Sequence, residues 1–155
     1  RGNPVGVSLV SGADASELGA VMNNKRLLLP VDYVVAKAGE RQGRIAEVKD
    51  VREDEAILDN GPRTIQMLAL HAARSKTVLW NGPLGNYENG FAQGTEALAK
   101  VIAGTKTRSI VGGGDTVAAI EGLNLADQFT FISTGGGAML DFLAKGTLPG
   151  LDALR

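Results

Sequence analysis

Two runs of three consecutive glycines, Gly112-Gly113-Gly114 and Gly135-Gly136-Gly137, each follow a short apolar stretch and lead into another apolar segment. Glycine lacks a side chain and reaches positive φ, so such runs let several backbone N–H groups approach one anion closely. The first run continues into Asp115 and Thr116, a carboxylate suited to Mg²⁺ and a hydroxyl suited to a phosphate oxygen. The second has no carboxylate before Asp141 and should present a positive dipole to an anion. A third loop, Asn81-Gly82-Pro83-Leu84-Gly85, precedes both. Taken singly, a glycine triplet is a tight turn and Asp115 a helix cap; in series they point to a polyphosphate.

The elements that would position these loops repeat one pattern three times. Buried-type strands are expected at 77–80, 109–111 and 129–133, each followed by a glycine loop and an amphipathic helix. The helices would use Phe91, Thr95, Leu98 and Ile102, then Val117 and Ile120, then Met139, Leu140 and Leu143. Helical crossovers imply parallel strands, and right-handed connections put all three loops on one edge. Open α/β sheets bind ligands at that edge, beyond the carboxyl ends of their strands. Upstream, a short helix is expected over 14–23, capped by Asp14 with Glu17 as reciprocal partner. A strand follows at 27–35, interrupted by Pro30 and Asp32. A charged surface excursion at 37–54 holds an edge strand or hairpin arm at 45–48. After the apolar run 56–59, Pro62 should open a helix with Ile65, Leu68, Ala69 and Ala72 on one face. Trp80 reads as core, and His71, the sole histidine, receives no role.

Composition excludes several classes. With 155 residues, 44 % apolar and 21 % charged, the chain can bury the core of one domain. A net charge of -1 with scattered basic pairs offers no stripe for a nucleic-acid backbone. Cysteine is absent, which removes disulfides and thiolate metal sites and is compatible with a cytoplasmic location. The apolar runs fall far short of the ~20 residues that cross a bilayer, so no membrane partner is expected. The common nucleotide fingerprints are missing: there is no P-loop, and neither triplet completes Gly-x-Gly-x-x-Gly, since Val117 and Leu140 occupy the final positions.

In order and spacing, Trp80-Asn81-Gly82-Pro83-Leu84-Gly85, Gly112-Gly113-Gly114-Asp115-Thr116 and Ile132-Ser133-Thr134-Gly135-Gly136-Gly137-Ala138 resemble three signatures of the phosphoglycerate kinases. Leu29-Pro30-Val31-Asp32, Ile57-Leu58-Asp59-Asn60-Gly61-Pro62 and Leu148-Pro149-Gly150 extend the likeness over almost the whole chain. The resemblance implies a fold: α/β, a parallel-sheet Rossmann-like three-layer αβα arrangement, here as an incomplete part of the C-terminal domain. It implies an activity: phosphoryl transfer between 1,3-bisphosphoglycerate and ADP, giving 3-phosphoglycerate and ATP in glycolysis. It also implies roles. Asp115 would bind nucleotide-borne Mg²⁺. Gly114 and Thr116 would contact phosphates, Gly112 and Gly113 would belong to the same nucleotide-binding loop, and Asn81 would approach the triphosphate tail. Glu88 would hold the ribose, Leu58 and Pro83 would flank the nucleoside, and Gly135, Gly136 and Gly137 would stabilise the transferring phosphoryl. Asn86 and Tyr87 depart from the family's usual apolar residue and Phe beside the nucleoside.

By the same resemblance, the phosphoglycerate-binding N-terminal domain, a catalytic arginine and a glycine-and-lysine loop are absent. The chain alone is therefore expected to be inactive, and to meet 3-phosphoglycerate only when that domain is present. The full enzyme would be a monomer. The family strand order 3-2-1-4-5-6 would make the strand at Leu27 strand 3 and leave strands 1 and 2 missing. The fragment would then self-associate, be completed by its remaining part, or pair that strand with the one at Thr77. Two other readings compete: a non-catalytic nucleotide-binding or interaction module, and a kinase of the phosphofructokinase or diacylglycerol kinase type. The latter resemble Gly-Gly-Asp-Gly-Thr, whereas Thr116 here follows Asp115 directly.

Overall fold

The computed structural model describes residues 2–10, 19 and 21–154. They fall into two compact units, 1–64 and 65–155. The helix expected at 14–23 lies largely outside the described residues; of it, Gly19, Val21 and Met22 are helical.

The first unit is built on a three-stranded antiparallel sheet of order β2-β1-β3, with β1 at Asp32–Lys37, β2 at Arg44–Glu47 and β3 at Glu55–Asn60. β2 is the hairpin arm expected near Ile45. The strand expected from Leu27 is corrected: residues 27–31 form none, and β1 begins at Asp32. Pro30 has no N–H to give a ladder, and the Val31 N–H is taken by the Thr64 hydroxyl at 3.0 Å. Nor is β1 a member of a parallel sheet. Its partners are the nearby β2 and β3, which close only short loops and fit an antiparallel ladder. Val35, Ala46 and Val51 form the core, flanked by Tyr33 and Ile57.

Beside that core sits a buried carboxylate. Glu55 on β3 is 2 % exposed and receives two parallel hydrogen bonds from Arg44, Nε to Oε1 at 2.7 Å and Nη2 to Oε2 at 2.6 Å. The Arg44 hydrogen bonds, with the Arg52 N–H and the charges of both arginines, outweigh burial and hold Glu55 at about 2, from an ordinary 4.5. A carboxyl depressed on folding adds stability that is complete above its unfolded value and lost as pH falls through its folded one. We expect the thermal midpoint to drop between about pH 4.5 and pH 2. Glu55→Gln should be less stable at pH 7 and show a flatter acid limb, read by circular dichroism melts across pH. An unchanged acid limb in that variant would remove Glu55 as its source.

A helix, α1 (Pro62–Arg74), begins at Pro62 as expected and spans the boundary between the units. Its N-cap position falls to Gly61, which has no side chain to offer, and the cap comes from Asp32. The Asp32 carboxylate accepts from the Arg63 N–H at 3.0 Å, the Thr64 N–H at 2.8 Å and the Thr64 hydroxyl at 2.7 Å. Burial opposes the charge of Asp32, yet those hydrogen bonds together outweigh it and hold the carboxyl below its usual value. A Cβ on Gly61 would lie 2.3 Å from Asp32 Cγ, so the paired motifs around Asp32 and Gly61-Pro62 are one structural device.

The second unit holds a parallel sheet of order β4-β5-β6: Thr77–Asn81, Arg108–Gly112 and Phe131–Ser133. Helices α2 (Gln93–Ala103), α3 (Gly114–Gly122) and α4 (Gly136–Lys145) follow the three strands in turn. A short α5 (Pro149–Asp152) completes the described elements. This parallel sheet with flanking helices bears out the Rossmann-like α/β expectation. Its core comprises Ala72, Trp80, Leu98, Ala99, Ile102, Val111, Ile120 and Phe129. β6 starts later than expected because Thr130 and Ser109 exchange hydrogen bonds through their hydroxyls instead of a ladder pair, each at 3.1 Å. The apolar face foreseen for α4 is also corrected: Leu140 and Leu143 are exposed, and the one buried residue on this helix is Gly136. Among the described residues no helix is long and apolar enough to cross a membrane.

Candidate functional site: three interlocked glycine loops

The parallel register aligns Asn81 with Gly112 and Gly112 with Ser133, so β4, β5 and β6 end side by side and release their loops at one edge. The loop after β4 is pinned at three points. Trp80 Nε1 donates to the Gly82 carbonyl at 2.8 Å, the Gly82 N–H to Thr116 Oγ1 at 3.1 Å, and the Leu84 N–H to Thr95 Oγ1 at 2.9 Å. Trp80 and Thr95 are buried, which makes them anchors of the loop. The roles of Thr95 and of Met139, which packs its Cε over Gly112, were not foreseen from sequence. A hydroxyl on the buried face of a helix signals a backbone group needing an acceptor, and Thr95 carried that signal.

Gly113 adopts φ +95°, which an L side chain rarely tolerates, and thereby turns the chain into α3. Gly136 comes so near that a Cβ on it would lie 2.4 Å from Gly113 N. The two triplets therefore touch through bare backbone, and each opens a helix whose first N–H groups lack intrahelical acceptors. Positive ends of α3 and α4 thus face the same edge. Asp115 stands exposed in the first turn of α3 with no capping hydrogen bond, so it is not the N-cap. The first turn of α4 carries no acidic residue.

Gly112 is buried, Gly113 half-buried and Gly114 exposed; Gly135 and Gly137 are exposed while Gly136 is buried. Thr116 is fully buried, its hydroxyl turned to Gly82. Pro83 is half-buried in the first loop, and Glu88 is exposed on a 3₁₀ turn, Tyr87–Asn89. Leu58 stands on β3 of the first unit, half-buried. Among the described residues no group of three His, Cys, Asp or Glu could hold a metal. One carboxylate, Asp115, fits a cation delivered with phosphates, not a protein-only cage.

The sequence profile of the phosphoglycerate kinase family matches residues 1–146. The chain belongs to the phosphoglycerate kinase family. A phosphoglycerate kinase of Rubrobacter xylanophilus is 42 % identical over 99 % of the chain and 41 % of the relative. That of Herpetosiphon aurantiacus is 43 % identical over 97 % of the chain and 40 % of the relative. The solved phosphoglycerate kinase of Coxiella burnetii matches with a TM-score of 0.83 at 39 % identity, covering 99 % of this chain and 42 % of the other. That of Pyrococcus horikoshii matches at 0.70 and 35 % identity, over 81 % of this chain and 31 % of the other. The chain thus spans about two fifths of the length of the phosphoglycerate kinases it matches.

Proposed function

We propose that the chain is the C-terminal, nucleotide-binding portion of a phosphoglycerate kinase, serving phosphoryl transfer between 1,3-bisphosphoglycerate and ADP. The observation that carries this reading is the convergence of three glycine loops and two helix N-termini at the carboxyl edge of β4, β5 and β6. Phosphoryl transfer is largely positioning and charge stabilisation, so backbone N–H groups and a metal suffice as working parts. The exposed N–H groups of Gly114 and Asp115 would receive nucleotide phosphates, and those of Gly135 and Gly137 the transferring group. Asp115 would hold the nucleotide's Mg²⁺, which neutralises charge on the phosphates when bound. Glu88 and Pro83 would serve the nucleoside, and 3-phosphoglycerate would require the family's other domain.

Two measurements test the reading. A coupled ADP/ATP assay should show turnover by the polypeptide that includes the phosphoglycerate-binding domain and none by residues 1–155 alone; turnover by the short chain would refute its incompleteness. Titration calorimetry of the short chain with Mg-ADP should give a Kd of about 1 μM or weaker, because a partly built site loses several contacts together. Nanomolar binding would contradict the assignment of part of the nucleotide site to segments outside this sequence.

A further inference from the structure

We propose that Thr95 is a positioning residue for nucleotide binding: from the buried face of α2 it fastens the turn that presents Glu88, and so sets the nucleotide KM. The proposal deepens the kinase reading and rests on it for the KM effect; the fastening itself stands on geometry alone. A hydroxyl at the start of a helix ordinarily serves that helix's own N–H groups. In α2 it does not. Ala92 occupies the N-cap position with no side-chain cap, and Thr95, 0 % exposed, accepts the Leu84 N–H at 2.9 Å. That bond joins residues eleven positions apart and closes the chain between β4 and α2 into a loop with a fixed base.

Within the loop the backbone bonds to itself. The Tyr87 N–H donates to the Gly85 carbonyl at 2.8 Å, those of Asn89 and Phe91 both to the Asn86 carbonyl at 3.1 Å, and that of Gly90 to the Tyr87 carbonyl at 3.0 Å. Asn89 Nδ2 adds a bond to Asn86 Oδ1 at 2.9 Å. Gly90, at φ +86°, then turns the chain so that Phe91 is buried, 8 % exposed. These ties shape the turn, and the Thr95 bond fixes where it stands against α2. Glu88 is left exposed on its surface. A side chain held in place before the ligand arrives spares the cost of ordering it on binding. Leu84 also packs against the core, so losing the bond would loosen the turn without releasing it.

Amide hydrogen exchange of the chain without ligand tests the fastening. Thr95→Val, of nearly the same shape but without the hydroxyl, should speed exchange at Leu84 and over residues 86–91 by about fivefold, the factor for one net hydrogen bond. Thr95→Ser should restore protection. In the polypeptide that carries the phosphoglycerate-binding domain, Thr95→Val should raise the nucleotide KM by about 3–10-fold, with kcat and the phosphoglycerate KM within about twofold of wild type. Added to Glu88→Ala, the same substitution should raise KM by less than about twofold further, because a residue acting through Glu88 has then nothing to position. Unchanged exchange, a loss that appears in kcat, or effects of the two substitutions that multiply in full would each overturn the proposal. Gly90→Ala disturbs the same turn from its other end: the added Cβ meets nothing within 4 Å, so only the φ of +86° is strained. It should raise the nucleotide KM in the same way, and it decides alone if Thr95→Val does not fold. Faster exchange in Thr95→Val, beside a wild-type polypeptide without kinase turnover, keeps the fastening and sinks the kinase reading instead.

Discussion

In the complete phosphoglycerate kinase polypeptide, Asp115→Ala should lower kcat by about 100-fold or more, while Glu88→Ala should mainly raise the nucleotide KM, by about 3–10-fold. The difference follows from where each carboxylate stands. Asp115 is exposed in the first turn of α3, where the loops and two helix N-termini converge, and no hydrogen bond diverts it to capping. Bound there, a nucleotide-borne Mg²⁺ would neutralise charge that grows in the transition state, so its loss appears in kcat. Glu88 sits on a separate surface turn and would contribute the same binding energy before and during transfer. Steady-state kinetics of both variants, with nucleotide and phosphoglycerate varied separately, resolve the two effects. Equal losses confined to the nucleotide KM would refute the roles given to both residues.

The largest stability effect should come from Asp32→Ala, at about 3 kcal/mol. Loss of a good N-cap costs about 1–2 kcal/mol, and losing the Thr64 hydroxyl's bond to a buried carboxylate adds about 1 or more, that hydroxyl falling back on the Asp32 backbone carbonyl at 3.0 Å. Asp32 and Thr64 are each 1 % exposed, so water does not readily replace the lost partner. Asp32→Asn keeps one acceptor oxygen but turns an NH₂ toward a backbone donor, and should fall between wild type and alanine. Urea denaturation followed by circular dichroism gives the ranking. An Asp32→Ala variant within about 0.5 kcal/mol of wild type, the range of ordinary surface substitutions, would show that the helix does not depend on this cap.

How far each feature was legible depended on its range along the chain. The β4–α2–β5–α3–β6–α4 order was readable because each strand, loop and helix carries its own local signal: a short apolar run, a glycine turn, then an amphipathic period. Parallel pairing followed from the connections, and the glycine loops had to share an edge once it did. The start of α1 at Pro62 was equally local. The strand near Leu27 was misplaced because apolar composition cannot show that the Val31 N–H is already engaged by Thr64, 33 positions away. The exposed face of α4 escaped for a related reason: apolar spacing marks a face that could be buried, not one that is.

The sequence by itself determined the family, the α/β alternation and the identity of the three loops, because motif order and spacing are properties of the chain alone. Tertiary structure alone decided which side chains are tied between those loops and which stand exposed at the edge. Asn81, Gly113 and Gly136 meet across three strands, and Thr116 is turned inward to Gly82 while Asp115, one residue earlier, faces out. Residue type announces what a side chain can bond to, but the nearest partner is fixed only when distant segments pack. A hydroxyl or amide beside a glycine loop therefore reads alike in sequence whether it holds the loop or the phosphate.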